Sequence, residues 1–247
     1  MQSELQLRQQ LAAFSHRVWE RGWVANHDGN LSLRLPRERL LCTPTGVSKG
    51  GLAAEAMLVV DASGKVLSGK GRPFSELGLH LAYYHGRPDV QAVLHAHPPT
   101  ATGFGVAGVG LDRPFLPEAV VSLGPEVPTV PLTAPGSEAA QVLSGYVTEY
   151  DALLLAGNGA LCCGVDLEQA YLRMELVEHL AKVALVAHQL GGIQALPAQL
   201  LEPLLAARTR AGLGPAARAV GSSTAAQTAD PAALKRRVDD EIRRVLK

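Results

Sequence analysis

Two stretches hold the residue types that could do chemistry together: Arg72-Pro73-Phe74-Ser75-Glu76 and Val93-Leu94-His95-Ala96-His97-Pro98-Pro99. His95 and His97 stand one residue apart at the end of a mostly apolar, β-prone run from Val90 to Leu94. Alternate residues of a strand face the same side, so both imidazoles are expected to project together where the strand ends. Two imidazoles so placed begin a divalent-metal site. Between the stretches lies Leu77 to Arg87, with apolar residues at 77, 79, 81, 83 and 84 and one histidine, His80. A helix starting at Ser75-Glu76 would lay the Glu76 carboxylate near the same strand end. A His-x-His pair is a weak signal by itself, because two polar residues at a strand end need no metal; the motifs around it give it weight.

The remaining elements must position those groups. Ser3 to Trp23 has apolar residues at near-helical spacing and is expected to open the chain as an amphipathic helix capped by Ser3. Asn26-His27-Asp28-Gly29-Asn30 reads as a turn, followed by a strand in which Leu31, Leu33 and Leu35 alternate. Such a turn can offer backbone N–H groups and an amide to an anion. A short strand from Leu40 runs into Thr43-Pro44-Thr45-Gly46-Val47-Ser48-Lys49, a hydroxyl-rich loop that could hold a phosphate through Thr45, Gly46 and Lys49, although it lacks P-loop spacing. Met57 to Leu67 reads as a hairpin, and Thr100 to Val109 as helical. Leu111 to Leu132, rich in Pro and Gly, reads as loops with short strands, and Ser137 to Tyr150 as a helix. Two apolar runs surround the Gly157-Asn158-Gly159 turn. Asp166 then caps a long helix to Leu190, in which His179 and His188 fall on different faces and read as structural. Ala211 to Asp230 is biased toward Ala, Gly, Ser and Thr and reads as a linker. It leads to a last helix with an apolar stripe of Leu234, Val238, Ile242 and Val245, suited to packing on a neighbouring subunit, and a basic face suited to solvent.

Composition narrows the function classes. With 247 residues and 47% hydrophobic content, the chain can bury a substantial core. A net charge of zero argues against nucleic acid as the main partner. There is no apolar run of membrane-spanning length, and the polar start has no signal-peptide core. Cys42, Cys162 and Cys163 are odd in number and two are adjacent, which reads as reduced, buried thiols in a cytoplasmic protein.

Five motifs in order carry a family resemblance: His27-Asp28-Gly29-Asn30-Leu31-Ser32, Thr43-Pro44-Thr45-Gly46-Val47, Pro73-Phe74-Ser75-Glu76, His95-Ala96-His97-Pro98-Pro99, and Leu155-Ala156-Gly157-Asn158-Gly159-Ala160-Leu161 with Gly164, Asp166, Leu167, Glu168 and Ala170. Together they resemble the class II aldolase/adducin family, which includes fuculose-phosphate aldolase, from about residue 5 to 192. The resemblance implies a three-layer α/β/α fold around a largely antiparallel sheet. It also implies a small-molecule substrate, a homotetramer with sites between subunits, and a divalent metal, usually zinc, with manganese or cobalt as alternatives. On this reading residues 1–210 form the family domain and 211–247 a linker and helix. By position, His95 and His97 are metal ligands, Glu76 is the catalytic acid/base, and Asn30, Gly46 and Ser75 anchor a substrate phosphate.

The chain departs from the family pattern in three places. The third metal histidine is replaced by Asn158, and an amide oxygen is a poor zinc ligand. Three arrangements then stay open: a metal held by His95, His97, Glu76 and water, a weak site, or an empty one, with His27 a candidate replacement ligand. Residues 98–145 contain no tyrosine where the aldolases carry a proton donor, and the last tyrosine, Tyr171, lies too early to serve from the C-terminal tail. His27 and Phe74 also stand where small residues are frequent. The resemblance points first to an aldolase-like lyase on a small, phosphorylated hydroxy-carbonyl compound. A related dehydratase or decarboxylase and a non-catalytic adducin-like assembly protein are the alternatives. Glu76 argues against the epimerase branch, which carries Asp there.

Overall fold

The computed structural model describes residues 2–132, 137–221 and 231–245. Its core is an eight-stranded sheet in the order β4-β3-β2-β1-β5-β8-β7-β6, antiparallel except for the β6–β7 pair. The strands are β1 (Asn30–Leu35), β2 (Arg39–Cys42), β3 (Leu58–Asp61), β4 (Val66–Ser68), β5 (Ala92–Ala96), β6 (Thr129–Val130), β7 (Ala152–Leu155) and β8 (Ala160–Gly164). One face is covered by α1 (Glu4–Glu20), α3 (Pro99–Ala107) and α6 (Leu167–Gln189), the other by α2 (Leu77–Gly86) and α5 (Ser137–Val147). This is the three-layer α/β/α arrangement with a largely antiparallel sheet.

Strand periodicity assigns the layers. Leu31, Leu33, Leu41, Val59 and Leu94 meet Leu11 and Val18 of α1 and Met174 and Val177 of α6. The alternate residues Leu40, Cys42, Val60, Val93 and Leu161 meet Leu79 and Tyr83 of α2 and Leu143 and Val147 of α5. Each fully buried apolar side chain of this size stabilises the fold by about 1.5–3 kcal/mol, and both faces of the central strands are closed in this way. Local signals set the helix starts. Ser3 and Gln6 form a capping box on α1, and the Asp166 side chain accepts from the Gln169 N–H at the head of α6.

Several elements differ from the sequence expectation. The 111–132 region contains a helix, α4 (Pro117–Ser122), opened by a proline at a position where the missing N–H has no partner to lose. Another helix, α7 (Ala198–Arg210), follows α6. Part of the expected linker folds as α8 (Gly214–Gly221), and residues 222–230 lie outside the described residues. The last helix, α9 (Pro231–Val245), lays Val238, Ile242 and Val245 on the cluster around Val120 and Leu204 of its own chain, and the Leu234 side chain lies outside the described residues. His179 and His188, read as structural, are both exposed. Among the described residues no helix is long and apolar enough to cross a membrane.

One buried acid ties α7 and α8 to the sheet. Asp151, fully buried at the start of β7, accepts from Arg87 (2.9 Å) and Arg218 (3.1 Å) on Oδ1 and from Arg173 (3.0 Å) and Arg208 (2.8 Å) on Oδ2. The same guanidiniums donate to carbonyls at the ends of α4 and α5: Arg208 to Val121 and Ser122, Arg87 to Val147 and Arg218 to Thr148. Cations there also complement the negative ends of those helices.

Candidate active site

β5 lies in the middle of the sheet between β1 and β8, and its last residues form the floor of the site. Asn30 of β1 and Leu161 of β8 are the direct cross-strand partners of His95. His95 is fully buried, and its Nδ1 lies 3.0 Å from the Ala160 carbonyl, an acceptor that requires the proton on that nitrogen. His97, just past the strand, is fixed by its backbone N–H on the Trp23 carbonyl (2.8 Å) and by Nδ1 on Asp28 Oδ2 (3.2 Å). Burial and the neighbouring His95 lower the pKa of His97, against the opposing pull of Asp28 and Glu76. With both Nδ1 atoms engaged, the two Nε2 atoms face one another 3.2 Å apart.

Glu76 completes the group from the head of α2. Asn30 Nδ2 donates to Oε2 (2.9 Å), Asn158 Nδ2 donates to Oε1 (2.6 Å), and Oε1 stands 3.3 Å from His95 Nε2. Burial opposes ionisation of this carboxyl, but His95, Asn158 and Asn30 outweigh it and hold it well below the usual carboxylate range. Asn158 reaches Glu76 because Gly157 and Gly159, at φ of 68° and 74°, turn the chain back between β7 and β8. Gly159 is needed for a second reason: a Cβ there would strike the Ala96 carbonyl oxygen and lie 2.5 Å from His97 Cδ2.

The expected phosphate anchors divide between floor and rim. Asn30 is buried beside Glu76, whereas Gly46 and Ser75 are exposed. Their loops run side by side, joined by the Pro44–Pro73 bridge and by the Thr45 N–H on the Arg72 carbonyl (3.0 Å). Lys49 is buried, and its ammonium donates to the His27 (3.2 Å) and Val47 (3.1 Å) carbonyls, stitching the 25–30 turn to the 43–48 loop. The His27 side chain is exposed; the residue of that turn that meets an imidazole is Asp28. Sequence reasoning assigned no role to Asp28 or His80. His80 had a legible signal: Glu76, His80 and Tyr84 recur at a spacing of four and so share one helix face.

The profile of the family described as "Class II Aldolase and Adducin N-terminal domain" matches residues 9–185, a span that holds His95, His97, Glu76, Asn30 and Asn158. The chain belongs to the class II aldolase/adducin family. It is 36% identical over 188 residues to the 3-oxo-tetronate 4-phosphate decarboxylase of Escherichia coli (strain K12), covering 74% of this chain and 88% of that protein. It is 35% identical over 170 residues to the L-fuculose phosphate aldolase of Methanococcus vannielii, covering 68% of this chain and 90% of that protein. Among solved structures it resembles YgbL of Escherichia coli, whose assignment spans aldolase, epimerase and decarboxylase. That match has a TM-score of 0.76 at 34% identity, over 82% of this chain and 99% of that one. The chain is an enzyme of the class II aldolase family, whose members generally depend on a divalent metal.

The donor atoms test that dependence. His95 Nε2, His97 Nε2 and Glu76 Oε1 are three acceptor atoms meeting at 3.2 and 3.3 Å, and such a convergence demands a positive charge, as an imidazolium proton or a metal cation. Among the described residues no group of three or more His, Cys, Asp or Glu side chains is set as a complete metal-holding cluster. The geometry offers two imidazoles with their second nitrogens anchored, as metal-bound histidines have, and a carboxylate against one of them. Asn158 donates its amide N–H to Glu76 and also stands against His97.

Proposed function

We propose that this enzyme breaks a carbon–carbon bond next to the carbonyl of a small phosphorylated hydroxy-carbonyl compound, by way of an enediolate. The observation that carries the reading is the placement of Glu76, an acid/base held by two amides within reach of two converging imidazoles. His95 and His97, with Glu76 in the absence of substrate, would hold a divalent metal, zinc by preference and manganese or cobalt as alternatives. When bound, such a metal supplies Lewis acidity to the substrate carbonyl.

The chain's own residues do the rest. Asn30, Gly46 and Ser75 bind the phosphate and fix the substrate's reach toward Glu76. A substrate entering between Glu76 and His95 moves the Glu76 carboxyl away from the anchored imidazole that favours its ionised form. Its proton affinity then rises, and Glu76 can carry the proton delivered to the enediolate carbon. Retro-aldol cleavage of a 2-ketose 1-phosphate and loss of CO2 from a 3-oxo-tetronate 4-phosphate leave the same three-carbon phosphorylated enediolate. They differ in proton count. The retro-aldol step must also remove a hydroxyl proton from the departing aldehyde carbon, whereas CO2 leaves a carboxylate with no proton to remove. With one positioned acid/base and no tyrosine in residues 98–145, decarboxylation asks less of this site and stands as the favoured second reading. The three buried, free cysteines suit a cytoplasmic setting, and a homotetramer is the assembly that the family resemblance implies.

The test is turnover of L-fuculose 1-phosphate and of 3-oxo-tetronate 4-phosphate by the full chain with added zinc, manganese or cobalt. Aldehyde release marks the aldolase and CO2 release the decarboxylase. Glu76→Gln is expected to lower kcat by about 10²–10⁴-fold while the protein stays folded. Absence of both products with every metal, or full activity in Glu76→Gln, refutes the reading.

A further inference from the structure

The polar face of β1 and one face of α2 are both buried against each other, which is unusual for an interface inside an apolar core. On β1 the residues are Asn30, Ser32 and Arg34, alternate along the strand; on α2 they are Glu76, His80 and Tyr84, four apart. Asn30, Ser32, His80 and Tyr84 are all 5% exposed or less. Groups buried this deeply must be hydrogen-bonded to one another, and here they are. The Tyr84 hydroxyl lies 2.8 Å from Ser32 Oγ, Ser32 Oγ lies 2.7 Å from His80 Nδ1, and His80 Nε2 lies 2.7 Å from Asn30 Oδ1. Asn30 Nδ2 then donates to Glu76 Oε2 at 2.9 Å.

The direction of this chain follows from its last member. An ionised carboxylate only accepts, so Asn30 must present its N–H to Glu76 and its oxygen to His80. His80 Nε2 must therefore carry the proton. The ring is neutral, because burial pushes its pKa down to about 3, so Nδ1 accepts from the Ser32 hydroxyl. Ser32 Oγ in turn accepts from Tyr84. Reversing any link would set two donors or two acceptors face to face. A run of donors aligned in one sense also polarises along its length, so each bond strengthens the next.

The geometry points to His80 as a positioning residue for Glu76. Resting on the functional reading above, it acts through Asn30, whose amide oxygen it holds so that the NH2 group faces Glu76. One N–H holds the acid/base; the other has no partner among the described residues and is available to a substrate oxygen. The His80 ring bonds to Ser32 and Asn30 and to neither His95, His97 nor Glu76 directly, so its part is to position and not to react.

The experiment compares two amide substitutions that differ in where they place a donor. A glutamine side chain reaches the position of the His Nε2 and can donate to Asn30 Oδ1; an asparagine side chain reaches only as far as Nδ1. In His80→Gln the turnover of whichever substrate proves active is expected to stay within about fivefold of the parent. In His80→Asn it is expected to fall about 10–100-fold, the usual loss when the partner orienting a site residue is removed. Thermal midpoints of both variants serve as the control for folding. Equal losses at matched stability, or no loss in either, overturn the proposal. A second measurement needs no turnover: histidine ¹⁵N spectra of the full-length parent, assigned by the signal lost in His80→Gln. A protonated Nε2 with an acceptor Nδ1 is expected. The opposite tautomer or a charged ring at neutral pH overturns the proposal even if the lyase reading stands. The expected tautomer in a protein that turns over neither substrate would leave the chain intact and sink the lyase reading instead. Should His80→Asn fail to fold, Ser32→Ala takes its place, with a smaller loss of turnover expected and an unchanged rate overturning the proposal.

Discussion

Replacing Asp151 with asparagine keeps the shape of the side chain and removes the carboxylate that four guanidiniums share, one of which, Arg87, also pairs with Asp89. Its two oxygens each accept two charged hydrogen bonds, at 2.8–3.1 Å, with no exposure to water. Asparagine retains one oxygen and turns an NH2 group toward the pair of arginines that had used the other. Two charge-assisted bonds are then lost, at about 1.5–3 kcal/mol each, so the expected loss of stability is about 3–6 kcal/mol. That matches the usual effect of breaking a buried ion pair by removing one partner. For a chain of this size, each kcal/mol corresponds to about 2–4 °C in Tm, so the midpoint should fall by about 6–24 °C. The assay is thermal unfolding followed by circular dichroism across a pH series. Burial opposes ionisation of Asp151, but Arg173, Arg208, Arg87 and Arg218 outweigh it and hold the carboxyl well below its ordinary range. A depressed pKa stabilises the fold fully above the unfolded value of about 4, and that contribution fades as pH falls toward the folded value. The gap between parent and variant should therefore be constant from neutral pH down to about pH 5 and narrow below about pH 4. A fall in Tm of less than about 3 °C at neutral pH would show that the carbonyls at the ends of α4 and α5 satisfy the arginines unaided.

Other substitutions probe the site itself. Asp28→Asn removes the carboxylate behind His97 and is expected to weaken metal binding about 10–100-fold in a calorimetric titration, with little change in Tm. Gly159→Ala forces a side chain against the Ala96 carbonyl and His97 at a positive φ; a loss of about 1–3 kcal/mol and reduced metal uptake are expected, and unchanged uptake would refute the close approach. Burial pushes the Cys42 and Cys163 thiols up to about 12, so neither should react with a thiol reagent at pH 8 in the folded protein, and both should react once it is unfolded.

The sheet strands were legible because their alternation survives burial: the Leu31, Leu33 and Leu35 series reads the same in sequence and structure. The His95/His97 pair was legible for the same reason, since period two places both imidazoles on one side. The C-terminal helices were not. α7 carries Pro203 within it, and α8 lies in a stretch of small residues with little apolar pattern; Arg218, reaching the buried Asp151, holds α8 where local preference does not. The use of Asn158 was hidden too. An asparagine between two glycines reads as turn chemistry, and only the fold shows its amide on Glu76. Asp28 was overlooked because a turn aspartate usually bonds its own backbone. This one does so, to the Ala25 N–H, while its second oxygen meets His97.

The central place of β5 also bears on how the molecule comes into being. Its ladder partners lie far away along the chain in both directions, β1 ending at Leu35 and β8 beginning at Ala160. Loop closure over such separations is slow, so the middle of the sheet is among the later parts to assemble. During synthesis, a nascent chain that already shows β1, α2 and β5 still lacks the Ala160 carbonyl that orients His95 and the Asn158 amide that holds Glu76. A chain at that stage lacks two of the contacts that fix His95 and Glu76. The arrangement is complete only when the β7–β8 hairpin is in place, so activity would report on the completed fold.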